Sequence, residues 1–320
     1  MISRDPAALL DHARHGSRAA LARLITMVEG AGDEHLETVA LVHSPSAPHV
    51  IGLTGAPGAG KSTLTDQLIT TALAEESFTR ESPFARVAVL CIDPSSPFSG
   101  GALLGDRYRM QDHATDDRVY IRSMATRGHL GGLSLAVPDA IRVLGAVGFE
   151  LVVVETVGVG QMEVDIASTA DTTVVVLNPG WGDSVQAEKA GILEVADVFV
   201  INKADRPGTR ETRRDLERMM DMGPVTPWRP PVVETVAPDG RGVLDLWRTL
   251  AAHQQFLSLG AGDARRRHRL SHELDQVLSS MLAENVRTGD AARRYEQILD
   301  ALVAGATDPY QAARTLLSGG

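Results

Sequence analysis

The run Val50-Ile51-Gly52-Leu53-Thr54-Gly55-Ala56-Pro57-Gly58-Ala59-Gly60-Lys61-Ser62-Thr63 decides the fold. A short apolar stretch, Val50 to Leu53, reads as a strand; the pattern GxxxxGK[ST] follows it, and a helix-like run opens at Ser62. In such a loop the glycines let backbone N–H groups approach phosphate oxygens. Lys61 reaches the β- and γ-phosphates, and the Ser62 hydroxyl suits Mg²⁺. Gly55, Ala56, Pro57, Gly58, Ala59, Gly60, Lys61, Ser62 and Thr63 are the residues expected to line a nucleotide.

Around this run the chain alternates short β-branched segments with helix-length ones. The segments are Val50–Leu53, Val87–Ile92, Val119–Ile121, Leu151–Val154, Thr173–Leu177, Val198–Ile201 and Val232–Val233. Several are apolar at consecutive positions, which marks strands buried on both faces. The expectation is an α/β fold: a mostly parallel sheet covered by helices, of the kind that carries phosphate loops. Upstream, residues 6–29 carry apolar positions at helical spacing, with Asp5 as cap before Pro6. Ser44-Pro45-Ser46-Ala47-Pro48 reads as a linker. After Gly240 the signal is helical: Leu244, Leu246, Trp247 and Leu250, then Leu270 to Leu282, then Tyr295 to Leu302, then Pro309 to Leu317. This divides the chain into a helical extension over 1–48, a nucleotide domain over 49–259 and a helical arm over 260–320. The arm is too small to bury a core alone and is expected to pack on the nucleotide domain or on another subunit.

A second string, Asn202-Lys203-Ala204-Asp205, reads the base. The Asp205 carboxylate accepts from the ring N–H and exocyclic amine of guanine. Against adenine it would face a ring acceptor and be left unpaired, so the site selects guanine. Between the two strings, strand-like Leu151–Val154 runs into Glu155-Thr156-Val157-Gly158, where an acid and a glycine suit the Mg²⁺ side and the γ-phosphate. Asp93, at the end of another buried run, and Asp106, in a glycine-rich loop, are candidates for metal or water, or else incidental acids of a solvated loop. Arg127 faces phosphate or else serves packing or an interface. Trp181 is flanked by two glycines and reads as an aromatic presented on a loop with Asp183, Gln186 and Lys189. Gln161 lies beyond Gly158 and is not close behind it, so intrinsic hydrolysis is expected to be slow.

Composition sets the outer limits. Lys plus Arg is 31 against 41 Asp plus Glu, a net charge of −10, which argues against non-specific nucleic-acid binding. The exception is Arg265-Arg266-Arg267-His268-Arg269, a solvated helix start or a docking patch. The single cysteine, Cys91, rules out an internal disulfide and reads as a buried strand thiol. His12 and His15 have a metal-like spacing without a third ligand nearby. No apolar run is long enough to span a membrane and Met1–Pro6 has no signal core, so a cytoplasmic protein is expected.

Taken together these strings resemble the MeaB/ArgK/MMAA family of SIMIBI-class P-loop GTPases. The likeness runs through Leu53–Thr63, Asp93-Pro94-Ser95-Ser96-Pro97, Gly100–Arg107, Ala125–Gly128, Glu155–Gln161, Asn178-Pro179-Gly180 and Asn202–Asp205. It implies a GTP-hydrolysing chaperone that gates adenosylcobalamin loading onto methylmalonyl-CoA mutase and protects that enzyme, with GTP or GDP and Mg²⁺ bound. It also implies a homodimer held partly by the C-terminal arm. Lys61, Ser62, Asp93, Asp106 and Glu155 would surround phosphate and Mg²⁺, and Pro179 to Lys189 would be the switch that couples to the mutase. Two departures stand out: Met162 replaces a small polar residue, and Val236-Ala237 replaces Ser-Ala in the last guanine-side loop, where the Ala237 N–H would meet the guanine carbonyl. Competing readings are a nickel-delivery GTPase, which lacks its His-rich tail or paired cysteines here, and a transport-linked ArgK-type ATPase or kinase, which need not prefer guanine. A non-hydrolysing scaffold is disfavoured by the complete Lys61, Ser62 and Glu155 set.

Overall fold

A computed structural model describes residues 4–30, 32–43, 47–78, 82–93, 110, 113, 115–125, 135–156, 165–180, 191 and 194–318. Each of the seven β-branched runs forms a strand: β1 His49–Thr54, β2 Val87–Asp93, β3 Val119–Ala125, β4 Leu151–Thr156, β5 Thr172–Leu177, β6 Val198–Asn202 and β7 Val232–Thr235. They make one sheet in the order β3-β2-β4-β1-β5-β6-β7. Every pairing is parallel, so the "mostly parallel" expectation is met in full.

Alternate residues of one strand serve opposite faces, as the pleat requires. Val50, Ala88, Leu90, Ile92, Val152 and Val154 join one apolar cluster, while Ile51, Val89, Cys91, Leu151 and Val153 join another. The second face is covered by α4 (Lys61–Ala74), through Leu64, Leu68 and Ile69, and by the helix Val243–Phe256, through Leu246, Trp247 and Leu250. Leu244 does not take part; it is exposed on that helix. Around β5 and β6, Val175, Leu177, Phe199 and Ile201 form a smaller cluster with Leu216 of the helix Thr209–Met222.

The first face is covered by the N-terminal segment and α5 (Ala136–Ala146). Asp5 caps the first helix by accepting from the Ala7 N–H at 3.1 Å, and Pro6 opens it. The helical spacing over 6–29 is realised as two helices, α1 (Pro6–Arg14) and α2 (Arg18–Val28). The chain turns at Gly16, whose φ of 95° belongs to the left-handed region, and Ser17 restarts the helix by capping Ala20 at 3.3 Å. A third helix, α3 (Asp33–Val42), follows. Among the described residues the later helices are α6 (Thr209–Met222), α7 (Val243–Phe256), α8 (Gly262–Asn285), α9 (Gly289–Val303) and α10 (Pro309–Ser318).

The chain divides into two compact units, Met1–Arg266 and Arg267–Gly320. The N-terminal helices therefore belong to the same unit as the sheet. At the end of that unit Arg265 is no solvated residue: its two terminal nitrogens each reach an oxygen of Asp197 at 2.7 Å. Arg266, Arg267 and His268 are exposed, as expected. In the second unit α9 packs against α10, and Leu270, Leu274, Leu278 and Leu282 of α8 are each roughly half exposed. No helix among the described residues is long and apolar enough to cross a membrane.

His35 on α3 fastens the N-terminal layer to α5. Its Nε2 lies 2.8 Å from Asp139 Oδ2, and Arg142 donates to Asp139 Oδ1 at 2.8 Å. The hydrogen bond with Asp139 raises the His35 pKa above 6.5, against a smaller opposing effect of burial. A raised histidine pKa stabilises the fold fully below the unfolded value, and that contribution fades as pH rises through the folded value. The stability gap between the parent and His35→Gln should therefore be widest below pH 6.5 and narrow as pH rises above it, read as urea midpoints. A gap independent of pH would remove the charged form of His35 from the account.

Candidate nucleotide site

Parallel pairing brings the C-terminal ends of the strands to one end of the sheet, and β1 lies at its centre between β4 and β5. The loop that leaves β1 is pressed against β5: a Cβ on Gly55, which has φ 131°, would sit 2.0 Å from the Val176 carbonyl oxygen. Gly60 is equally constrained, because a Cβ there would lie 2.3 Å from Asn202 Nδ2. Only glycine meets both demands. Helix α4 starts directly after, so its free N–H groups and positive dipole end point back into the loop, as an anion requires. Lys61 is buried, and its ammonium donates to the Gly55 and Ala56 carbonyls at 2.6 and 3.0 Å. Pro57 and Gly58 are exposed at the rim; Ala59 is buried beneath them, and Thr63 is half-buried.

On one side of the loop stands the acid expected to face the metal. Leu53 pairs with Glu155 across β1 and β4, which puts this carboxylate next to the start of the loop. Ser62 donates to Glu155 Oε1 at 2.5 Å, and Thr65 donates to Glu155 Oε2 at 2.8 Å. Asp93 is buried at the end of β2, two residues beyond Cys91, which pairs with Glu155. Ser62, Asp93 and Glu155 offer only hard oxygen donors, which fits Mg²⁺. No group of three or more His, Cys, Asp or Glu that could hold a metal occurs among the described residues. A dedicated cage is not what Mg²⁺ needs in such sites, where one or two carboxylates act together with substrate phosphates. His15 Nδ1 is 2.8 Å from the Asp11 carbonyl. Cys91 is buried in β2.

On the other side Asn202, at the end of β6, ties three segments together. Its amide donates to the Ala59 carbonyl at 2.9 Å, and its oxygen accepts from Thr235 Oγ1 at 3.0 Å and from the Ala237 N–H at 3.2 Å. The Ala237 N–H, expected to meet the guanine carbonyl, is thus engaged by Asn202. Val236 is buried beside it, its N–H bonded to the Arg241 carbonyl. Lys203 holds φ 59°, the one non-glycine positive φ among the described residues, and its ammonium donates to the Gly58 carbonyl at 2.6 Å. Asp205, the residue expected to accept from the base, follows on the turn and is exposed.

Thr65 and Thr235 were not singled out from the sequence. Thr65 had a signal, since it lies one helical turn from Ser62 and so shares its face; Thr235 had none beyond closing a β-branched run. Asp106, Arg127, Gln161, Trp181, Asp183, Gln186 and Lys189 lie outside the described residues.

The family model described as "Methylmalonyl Co-A mutase-associated GTPase MeaB" matches residues 21–291. A putative GTPase of Pyrococcus abyssi is 46% identical over 315 residues, 97% of this chain and 95% of its own. The GTPase ArgK of Escherichia coli is 32% identical, covering 95% of this chain and 93% of its own. The mitochondrial methylmalonic aciduria type A homolog of Mus musculus is 33% identical, over 94% of this chain and 76% of its own. Among solved structures, that of a LAO/AO transport system kinase covers 99% of this chain and 98% of its own, with a TM-score of 0.68 at 24% identity, a likeness of fold. The family model over residues 21–291 and the relative 46% identical over 97% of this chain place it in the MeaB family of mutase-associated GTPases.

Proposed function

We propose that this chain is a Mg²⁺-dependent GTP-hydrolysing chaperone of a cobalamin-dependent acyl-CoA mutase, gating adenosylcobalamin loading onto methylmalonyl-CoA mutase and protecting it. The observation that carries the nucleotide part is the Asn202 brace, which holds the base-reading turn against the phosphate loop. The mutase part is supported by the family match and the mouse relative's name. In this reading the chain acts in the cytoplasm as a homodimer, with residues 260–320 as the dimerisation arm. The half-exposed leucines of α8 support that assignment.

Hydrolysis transfers the γ-phosphoryl group of GTP to water, releasing GDP and phosphate. Lys61 turns its ammonium from the loop carbonyls to the β- and γ-phosphate oxygens and stabilises the charge that develops there. Ser62, Asp93 and Glu155, with Asp106, would hold Mg²⁺, which when bound neutralises charge shared between those phosphates. Asp205 with Asn202 holds the base, Val236 and Ala237 close the guanine side, and the loop amides orient the phosphates.

Base choice is tested by calorimetry with GDP and ADP. Loss of the charged hydrogen-bond pair costs roughly 2–3 kcal/mol, about 30- to 150-fold in affinity. GDP should bind tighter by at least that factor, and Asp205→Asn should lose it; equal affinities would sink the assignment. Lys61→Ala should lower single-turnover phosphate release at least about 100-fold with the circular dichroism spectrum unchanged. Release at the parental rate would place the activity elsewhere. Addition of purified cobalamin-dependent mutase should accelerate hydrolysis, since partners that complete a GTPase site elsewhere supply about 10³–10⁵ in rate. Lys189→Ala, in the Trp181 to Lys189 segment proposed as the switch, should lose that acceleration. A mutase without effect on either protein would remove the chaperone reading and leave the GTPase.

A further inference from the structure

We infer that Thr65 is a positioning residue for the metal side of the site, acting through Glu155; this rests on the Mg²⁺ reading above. Ser62 and Thr65 are three residues apart in the first turns of α4, so their hydroxyls share one face of the helix. That face meets β4 at Glu155, and each carboxylate oxygen receives one hydroxyl: Ser62 on Oε1 at 2.5 Å, Thr65 on Oε2 at 2.8 Å. Thr65 is fully buried, and Glu155 is 4% exposed. The last torsion of a glutamate is broad and roughly two-fold, so one contact leaves the carboxylate plane free to turn. Each of these two hydroxyls restrains one of its oxygens.

The direction of the Thr65 hydroxyl separates this role from ordinary helix packing. A threonine within a helix commonly bonds back to the carbonyl four residues earlier. On this same helix Thr70 and Thr71 do so, donating to the Asp66 and Gln67 carbonyls at 3.2 and 2.8 Å. Thr65 instead donates across to the neighbouring strand, at the carboxylate expected to serve the metal. Residues that orient a metal-side group from behind it typically alter metal affinity about 10- to 100-fold when removed.

The test uses the full chain loaded with a fluorescent GDP analogue. Its release is followed against Mg²⁺ concentration, and Mn²⁺ binding to the GDP complex is read directly by electron paramagnetic resonance. Thr65→Val keeps the shape and removes the hydroxyl. It should raise the Mg²⁺ concentration for half-maximal retention, and weaken Mn²⁺, by about tenfold or more. GDP affinity in EDTA should stay within about twofold of the parent, and Thr65→Ser should restore the metal response. Thr65→Ala is read in the same way if valine disturbs the fold. The inference is overturned by a Thr65→Val protein with parental metal dependence, by Thr65→Ser as impaired as Thr65→Val, or by an equal loss of GDP affinity in EDTA. A parent whose GDP release ignores Mg²⁺ would instead take down the metal reading itself.

Discussion

Parallel pairing across all seven strands is the constraint on which the rest of this structure depends. It sends every C-terminal strand end to the same end of the sheet. The phosphate loop after β1, Glu155 near the end of β4, Asp93 at the end of β2 and Asn202 at the end of β6 meet there without any further device. Their separation along the chain is large, and the register closes it: Leu53 opposite Glu155, Cys91 opposite Glu155, and Asn202 opposite Thr235.

The loop itself is braced from both sides. Glycine at positions 55 and 60 allows β5 and Asn202 to approach it more closely than any side chain would permit. Asn202 and Lys203 then donate to the Ala59 and Gly58 carbonyls. Individual hydrogen bonds of this kind contribute about 0.5–1.5 kcal/mol. Their larger effect is geometric, because they fix the distance between the phosphate loop and the turn after β6. A site that holds its donors in place before the nucleotide arrives loses less to reordering on binding.

The N-terminal helices have the same logic on the opposite face. A parallel sheet must be covered on both sides, and α4 and α7 cover only one. Leu9, Leu21, Leu24 and Ile25 complete the cluster that buries Leu90, Val152 and Val154. Arg14 and Arg18 fasten this layer through the Ala146, Asp116 and Val119 carbonyls. The segment that reads as an extension in the sequence thus covers, together with α5, the other face of the sheet.

The sequence by itself determined the strands, the loop after β1 and the turn after β6. Each is encoded locally, by β-branched runs or by residue types at a fixed spacing. It also placed Asp5 and Pro6 at a helix start, since a cap needs only its own neighbours. The break at Gly16 was hidden because apolar spacing continues across it, and a single left-handed residue leaves no mark on periodicity. That Arg265 is not solvated has a related reason: whether a cation meets a carboxylate such as Asp197 depends on partners far along the chain. The order of the strands, the engagement of the Ala237 N–H by Asn202 and the reach of Thr65 to Glu155 came only with the tertiary structure. Helical spacing puts Ser62 and Thr65 on one face, and only the packed sheet decides which residue that face meets.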